Sequence, residues 1–159
     1  MLLVGMFLAL NLLTAQTQQS QLAKVFVLGQ AEERYEQLTS TYTQTLLGAC
    51  QNNIQVAFDQ WLVMMRAIDE HAGRVNFNLK GVKVWLHVFW AENGTIDHLG
   101  FLLRPDSRYV EEAELRAFFA DFVSNYQFSI KSDRKYSHYT GATFPTLSEK
   151  AEKRAPTGK

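Results

Sequence analysis

The chain has 159 residues, 47% of them hydrophobic and 13% aromatic, which is enough for one domain with a buried core and too apolar for a chain disordered throughout. Sixteen basic and sixteen acidic residues balance to a formal charge of zero. No basic stripe stands out, so nucleic-acid binding has little electrostatic support.

Met1 to Leu13 is almost wholly apolar and leads into the polar run from Gln16 to Gln21. At about 13 residues the apolar stretch is short of the roughly 20 a helix needs to cross a bilayer. It reads as the core of a signal peptide covering residues 1–15, cleaved near Ala15-Gln16. The region before it has no Lys or Arg, and Leu13 is large for its position, so a buried N-terminal helix or an uncleaved anchor is the alternative. The expected product is periplasmic or secreted, and not an integral membrane protein once the leader is removed.

Residues 16–30 form a polar leader holding one short apolar run, Val25-Phe26-Val27-Leu28, ended by Gly29. A helical pair is expected over 31–73. In its first member, Ala31 to Leu47, Tyr35, Leu38, Tyr42 and Leu46 recur at steps of three and four, although several threonines weaken the propensity. Cys50 follows as a lone thiol, read as a small buried apolar residue; its place before a helix, which lowers a thiol's pKa, leaves a reactive role open.

The second helix carries Ile54, Ala57, Phe58, Trp61, Leu62, Met65 and Ile68 on one face. Asn52 or Asn53 can cap its start, and Gly73 can supply the left-handed residue after its end. Trp61 and the Met64-Met65 pair are read as core. Asp69, Glu70 and His71 are read as a solvated face.

From Val75 the period changes from 3.6 to 2. Val75, Phe77 and Leu79 alternate, Gly81 interrupts, and Val82, Val84, Leu86, Val88 and Trp90 continue one face of a long strand. Asn93-Gly94 predicts a tight hairpin, and Leu99, Phe101 and Leu103 return. A two-residue loop sets Val88 opposite Leu99, Leu86 opposite Phe101 and Val84 opposite Leu103. The other face holds Trp85, His87 and Phe89 beside His98, Gly100 and Leu102. It is too aromatic to be simply solvated, so helices cover it or it is a partner surface.

A third helix is expected over about Val110 to Tyr126, with Leu115, Phe118, Phe119, Phe122, Val123 and Tyr126 inward. A last strand lies within Tyr136 to Phe144, ended by Pro145. Residues 147–159 are charged and offer nothing to a core, and are expected to be disordered.

The stretch from Gly81 to Pro145 resembles the C-terminal domain of TonB-type energy transducers. Gly81-Val82-Lys83-Val84 is similar to that family's opening strand. Phe89-Trp90-Ala91-Glu92-Asn93-Gly94-Thr95-Ile96 is similar to its strand, turn and returning strand. Glu112-Ala113-Glu114-Leu115 resembles the start of its helix, and Thr143-Phe144-Pro145 its closing strand. The family's long Pro-rich spacer is replaced here by the helical pair, since the chain has three prolines in all. The Tyr-Pro motif common before the family's first strand is missing too.

The resemblance implies an α+β fold: the N-terminal helix pair, then a TonB-C-like β-hairpin–α–β unit over 74–146 with a small antiparallel sheet. It also implies a periplasmic protein that recognises a protein partner in the cell envelope, of the class of TonB-dependent outer-membrane transporters. Recognition would be by strand addition at the edge formed by Tyr136, Ser137, His138, Tyr139 and Thr140. A free-standing adapter that is not an enzyme is the expected function.

Two other readings stand beside it. His87 and His98 are diagonal neighbours on one hairpin face, which offers a small hydrolase or metal-dependent enzyme a start. Asp97 alternates to the other face and Glu92 sits at the turn, so no third ligand is placed and no metal or cofactor is expected. The third reading is a structural homodimer, joined through the face of Trp85 and Phe89.

Overall fold

A computed structural model describes residues 22–146. The segments expected as signal peptide and as charged tail lie outside the described residues. The order of elements is β1 (Val25–Val27), α1 (Glu32–Thr41), β2 (Gln44–Thr45), α2 (Leu46–Ala49), α3 (Ile54–Arg74), β3 (Lys83–Trp90), β4 (Ile96–Leu103), α4 (Glu112–Asn125) and β5 (Tyr136–Thr143). The fold is α+β, as the sequence predicts.

The sheet is larger than expected, and mixed. Its five strands run in the order β1-β4-β3-β5-β2. The antiparallel centre is β4-β3-β5, and two short strands from the N-terminal part flank it in parallel. Val25–Val27 pairs with Leu99–Phe101, and Gln44–Thr45 pairs with Tyr136–Ser137. The apolar run in the supposed leader is therefore an edge strand, buried at all three positions.

The hairpin register follows the sequence: Val84 faces Leu103, Leu86 faces Phe101 and Val88 faces Leu99. The tip differs. Ala91 and Thr95 close a three-residue loop with Gly94 at φ 86°, and Trp90 pairs with Ile96. A bulge between Phe89 and Trp90 leaves Asp97 as the extra residue.

The first predicted helix breaks at Tyr42. Thr39, Ser40 and Thr41 all donate their hydroxyls back to carbonyls of Glu36 and Gln37, which competes with the helical pattern. The chain then extends into β2. The α3 helix forms as expected, with Asn53 Oδ1 accepting from Val56 N at 3.1 Å. At its other end Gly73 stays helical, and Asn76 takes the left-handed turn at φ 55°. The amide of Phe77 donates to Ala72 O and that of Asn76 to Gly73 O, a paired C-terminal cap. That cap consumes the segment expected as strand. Phe77 instead stacks on Phe118 at 4.6 Å, and Leu79 is buried.

One face of the sheet carries the main core. Val84, Leu86, Val88 and Trp90 meet Met64, Met65 and Ile68 of α3 and Leu115, Phe119 and Phe122 of α4 in one buried cluster. His71 is also buried there, against Phe118 and Phe122, with Nε2 2.9 Å from Asp121 Oδ2 in a poorly aligned contact. It is not on a solvated face, because α4 packs over it. The opposite face holds a smaller cluster, Phe26, Tyr42 and Phe89, with Leu22, Leu28, Tyr35 and Leu38 around it. The helical pair is thus split: α1 lies on one face of the sheet and α3 joins α4 on the other.

Candidate functional site: a half-paired sheet edge

The strand β5 alternates as its sequence requires. Tyr136 and Ala142 are buried toward α3, with His138 and Thr140 on the same side, while Ser137, Tyr139, Gly141 and Thr143 point to the other face. Tyr136 is the anchor. Its ring stacks on Trp90 at 5.2 Å, and its hydroxyl donates to Ile130 O at 2.7 Å. Burial pushes its phenol well above the usual range. His138 meets the edge of Trp61 at 4.7 Å, and burial holds its imidazole below the usual value.

On one side β5 pairs with β3 along its whole length, from Tyr136 opposite Trp90 to Thr143 opposite Lys83. On the other side it pairs with β2 at Tyr136 and Ser137 only. The short α2 helix, continuing directly from β2, also packs against β5. Among the described residues no strand pairs with the outer edge from His138 to Thr143. Backbone donors and acceptors in such a row template a further strand. The edge is therefore displaced from the one the sequence predicts: Tyr136 and Ser137 are taken by β2, and the open stretch runs on to Thr143.

The face beside this edge is part covered and part open. The α1 helix covers Phe89, whose ring lies 6.4 Å from Tyr35 and 5.3 Å from Tyr42. His87 is buried under the same helix, stacked on Phe89 at 4.0 Å and edge-on to Tyr139 at 5.4 Å, with Nδ1 2.9 Å from the Tyr35 hydroxyl. Burial, reinforced by the nearby His138, lowers its pKa to about 4. The rest stays exposed. Trp85 lies across bare Gly141, so that a Cβ there would meet its ring at 3.1 Å, and stacks with Tyr139 at 6.0 Å. The Arg104 guanidinium sits 5.4 Å over Trp85, and Leu102 flanks it. A dimer face built on Trp85 and Phe89 together does not exist in this fold, because α1 takes Phe89.

The two hairpin histidines share a face, but each is committed elsewhere. The Nδ1–H of His98 donates to Ala23 O at 3.2 Å, while His87 is held by Tyr35. Asp97 does not alternate away. The bulge turns it to the α1 side, where Tyr42 donates to Oδ2 at 2.6 Å and Lys135 Nζ lies 3.4 Å off. Among the described residues no group of three or more His, Cys, Asp or Glu is placed to hold a metal ion. Cys50 is buried, and burial pushes its thiol up rather than down.

Sequence reasoning missed the Tyr35–His87 contact and the role of Gln44–Thr45. Tyr35 was legible only as an inward helix residue, and two residues are too few to show a strand period. Among the described residues no helix is long and apolar enough to cross a membrane. No family model matches the chain, and neither does a curated protein or a solved structure.

Proposed function

We propose that the chain is an exported, non-enzymatic binding module of a Gram-negative envelope. It captures an extended segment of a protein partner as an added strand. The observation that carries this reading is the outer edge of β5 from His138 to Thr143, with which no strand pairs among the described residues, beside the exposed rings of Tyr139 and Trp85. Main-chain hydrogen bonds at such an edge supply affinity, and the side chains on either face supply selectivity. The resemblance of Gly81 to Pro145 to the TonB C-terminal domain supports a TonB-dependent outer-membrane transporter as the class of partner. The commitment of His87 and His98 to Tyr35 and Ala23 argues against an enzyme built on the hairpin face.

The test is affinity capture of the C-terminally tagged full chain from cross-linked envelopes, with the partners identified by mass spectrometry. Tyr139→Pro and Thr140→Pro are compared with the parent. Successive amides of a strand point to opposite edges, so one of the two removes an outward donor and the other a bond to β3. The variant that keeps its thermal transition is expected to lose the partner. Capture of the same proteins by a folded edge variant would refute strand addition.

A further inference from the structure

The α1 helix crosses the sheet as a strap. The strand before it, β1, pairs with β4 at one border, and the strand after it, β2, pairs with β5 at the other. Tyr42, just past its end, is held by Asp97. Both ends are fixed to the sheet, and what lies between them is lightly attached. None of the ten residues of α1 is buried, whereas α3 buries seven and α4 five. The apolar side chains it turns inward are Tyr35 and Leu38, each only partly buried.

A helix this short is marginal without packing, and segments with few buried apolar contacts open at lower cost than the whole fold. The start of α1 adds strain. Ala31 sits at φ 58°, a conformation disfavoured for a residue with a side chain, and makes no side-chain cap. Gly29 before it, at φ 87°, has nothing within 4 Å and supplies a pivot.

Beneath the strap lie Phe89, fully buried, and His87, 8% exposed. Tyr35 is the α1 group on His87, and Tyr139 faces it from β5. His98 of β4 shares the hairpin face but donates to Ala23 O, and His138 acts from the other side of the sheet. Among the described residues no carboxylate pairs with His87. A proton placed there is a buried charge without a counter-ion, which the closed arrangement disfavours. Lifting α1 hydrates it at the expense of two half-buried side chains.

We propose that α1 is a pH-sensitive strap: protonation of His87 lifts the segment from Gly29 to Thr41 off the sheet, while the sheet and the α3–α4 core stay folded. Lifted, it uncovers His87 and Phe89 in line with Trp85 on β3 and beside Tyr139 on β5, which makes one aromatic row next to the outer edge of β5. The direction follows from linkage. The imidazole is held at about 4 under the closed strap and moves toward the ordinary value of about 6.5 once wet. Opening therefore grows as pH falls from about 6.5 to about 4, and is constant above that range.

The test is amide hydrogen exchange of the full chain, read by NMR at about pH 7.5 and about pH 5, each rate divided by that of an unfolded amide at the same pH. At the higher pH the amides from Tyr35 to Tyr42 are expected to be protected, but less than those of β3. At the lower pH their protection is expected to be smaller by about tenfold or more, with β3 still better protected than α1. Equal protection in α1 and β3 at both pH values overturns the proposal, since the strap then opens only with the whole fold. So does an α1 protection that is the same at the two pH values. Tyr35→Phe keeps the ring and loses the hydroxyl, and is expected to open the strap several-fold more at the higher pH. In His87→Gln, checked for folding by its thermal transition, α1 protection is expected not to change with pH. A pH response that survives in this folded variant overturns His87 as the trigger. The measurement needs no partner, so its outcome is independent of whether the edge of β5 captures one.

Discussion

The Tyr35 hydroxyl lies 2.9 Å from Nδ1 of His87 and joins residues 52 apart in sequence, so that a part-buried polar contact ties α1 to the sheet. A neutral imidazole suits this place. It stacks on Phe89 and meets Tyr139 edge-on; Tyr35 and Tyr139 are the titratable groups it touches on its own face, and His138 acts on it from the other face of the sheet.

Burial of His87 makes stability depend on pH in a definite direction. The pKa of His87 is about 4 in the fold, against about 6.5 in an unfolded chain. The unfolded state takes up a proton that the native state refuses. Stability is therefore at its full value above about pH 6.5 and falls as pH drops toward 4, by something on the order of 3 kcal/mol. His138, lowered by burial as well, adds to the same slope. Urea midpoints measured through this range are expected to fall with pH, and less steeply in His87→Gln. An unchanged slope in that variant would place the dependence elsewhere.

Tyr42 joins α1 to the hairpin tip through Asp97, with Lys135 beside both. Hydrogen bonds to charged groups contribute about 1.5–3 kcal/mol, so Tyr42→Phe is expected to lower stability by about 1.5 kcal/mol. Burial and then the Asp97 carboxylate raise the Tyr42 phenol. In an alkaline absorbance titration of the folded chain, a late-ionising tyrosine signal present in the parent should be missing from Tyr42→Phe.

Three glycines should respond differently to alanine. A Cβ at Gly94 would lie 2.3 Å from Phe128 O, at a φ of 86°, so Gly94→Ala is expected to cost at least about 3 kcal/mol. At Gly73, inside α3 with nothing within 4 Å, alanine is expected to stabilise by about 0.5–1 kcal/mol. Gly141→Ala lies between, since only the ring of partly exposed Trp85 must give way. Thermal transitions of the three variants rank them directly.

Two large residues on α3 offer a further contrast. Ile68 is fully buried and Phe58 is not. Ile68→Ala is expected to cost about 2–5 kcal/mol, and Phe58→Ala less than about 0.5 kcal/mol. Similar losses at both sites, measured at low protein concentration, would mean that Phe58 is packed inside the monomer.

The sequence carried the local rules well and the long-range ones poorly. The Val84–Leu103 and Val88–Leu99 pairs were legible because alternation fixes which face is buried. The inward faces of α3 and α4 were legible from helical spacing, apart from Ile54, Phe58 and His71. These differ because burial depends on which flank of α3 meets α4, and the residue pattern of one helix does not say. Val75, Phe77 and Leu79 alternate like a strand, but the left-handed Asn76 turns them into a capping loop. Asp97 was placed on the wrong face because one extra residue in the bulge reverses the alternation. The edge strand was legible as a strand, and its closure over Tyr136 and Ser137 was not, since that depends on two residues brought from far earlier in the chain.

Both parallel borders of the sheet come from the first part of the chain: Val25 must find Leu99, and Gln44 must find Tyr136. During synthesis these segments emerge first, yet their places in the ladder exist only after the hairpin and then β5 have formed. Local contacts can form the hairpin early, while such distant pairings are slow. Until then Val25-Phe26-Val27 travels as an apolar strand without a mate, the kind of segment that misassociates or engages a chaperone. The N-terminal stretch thus works as a late clasp, and a fragment starting at the hairpin would expose the stretches of β4 and β5 that β1 and β2 pair with in the whole fold.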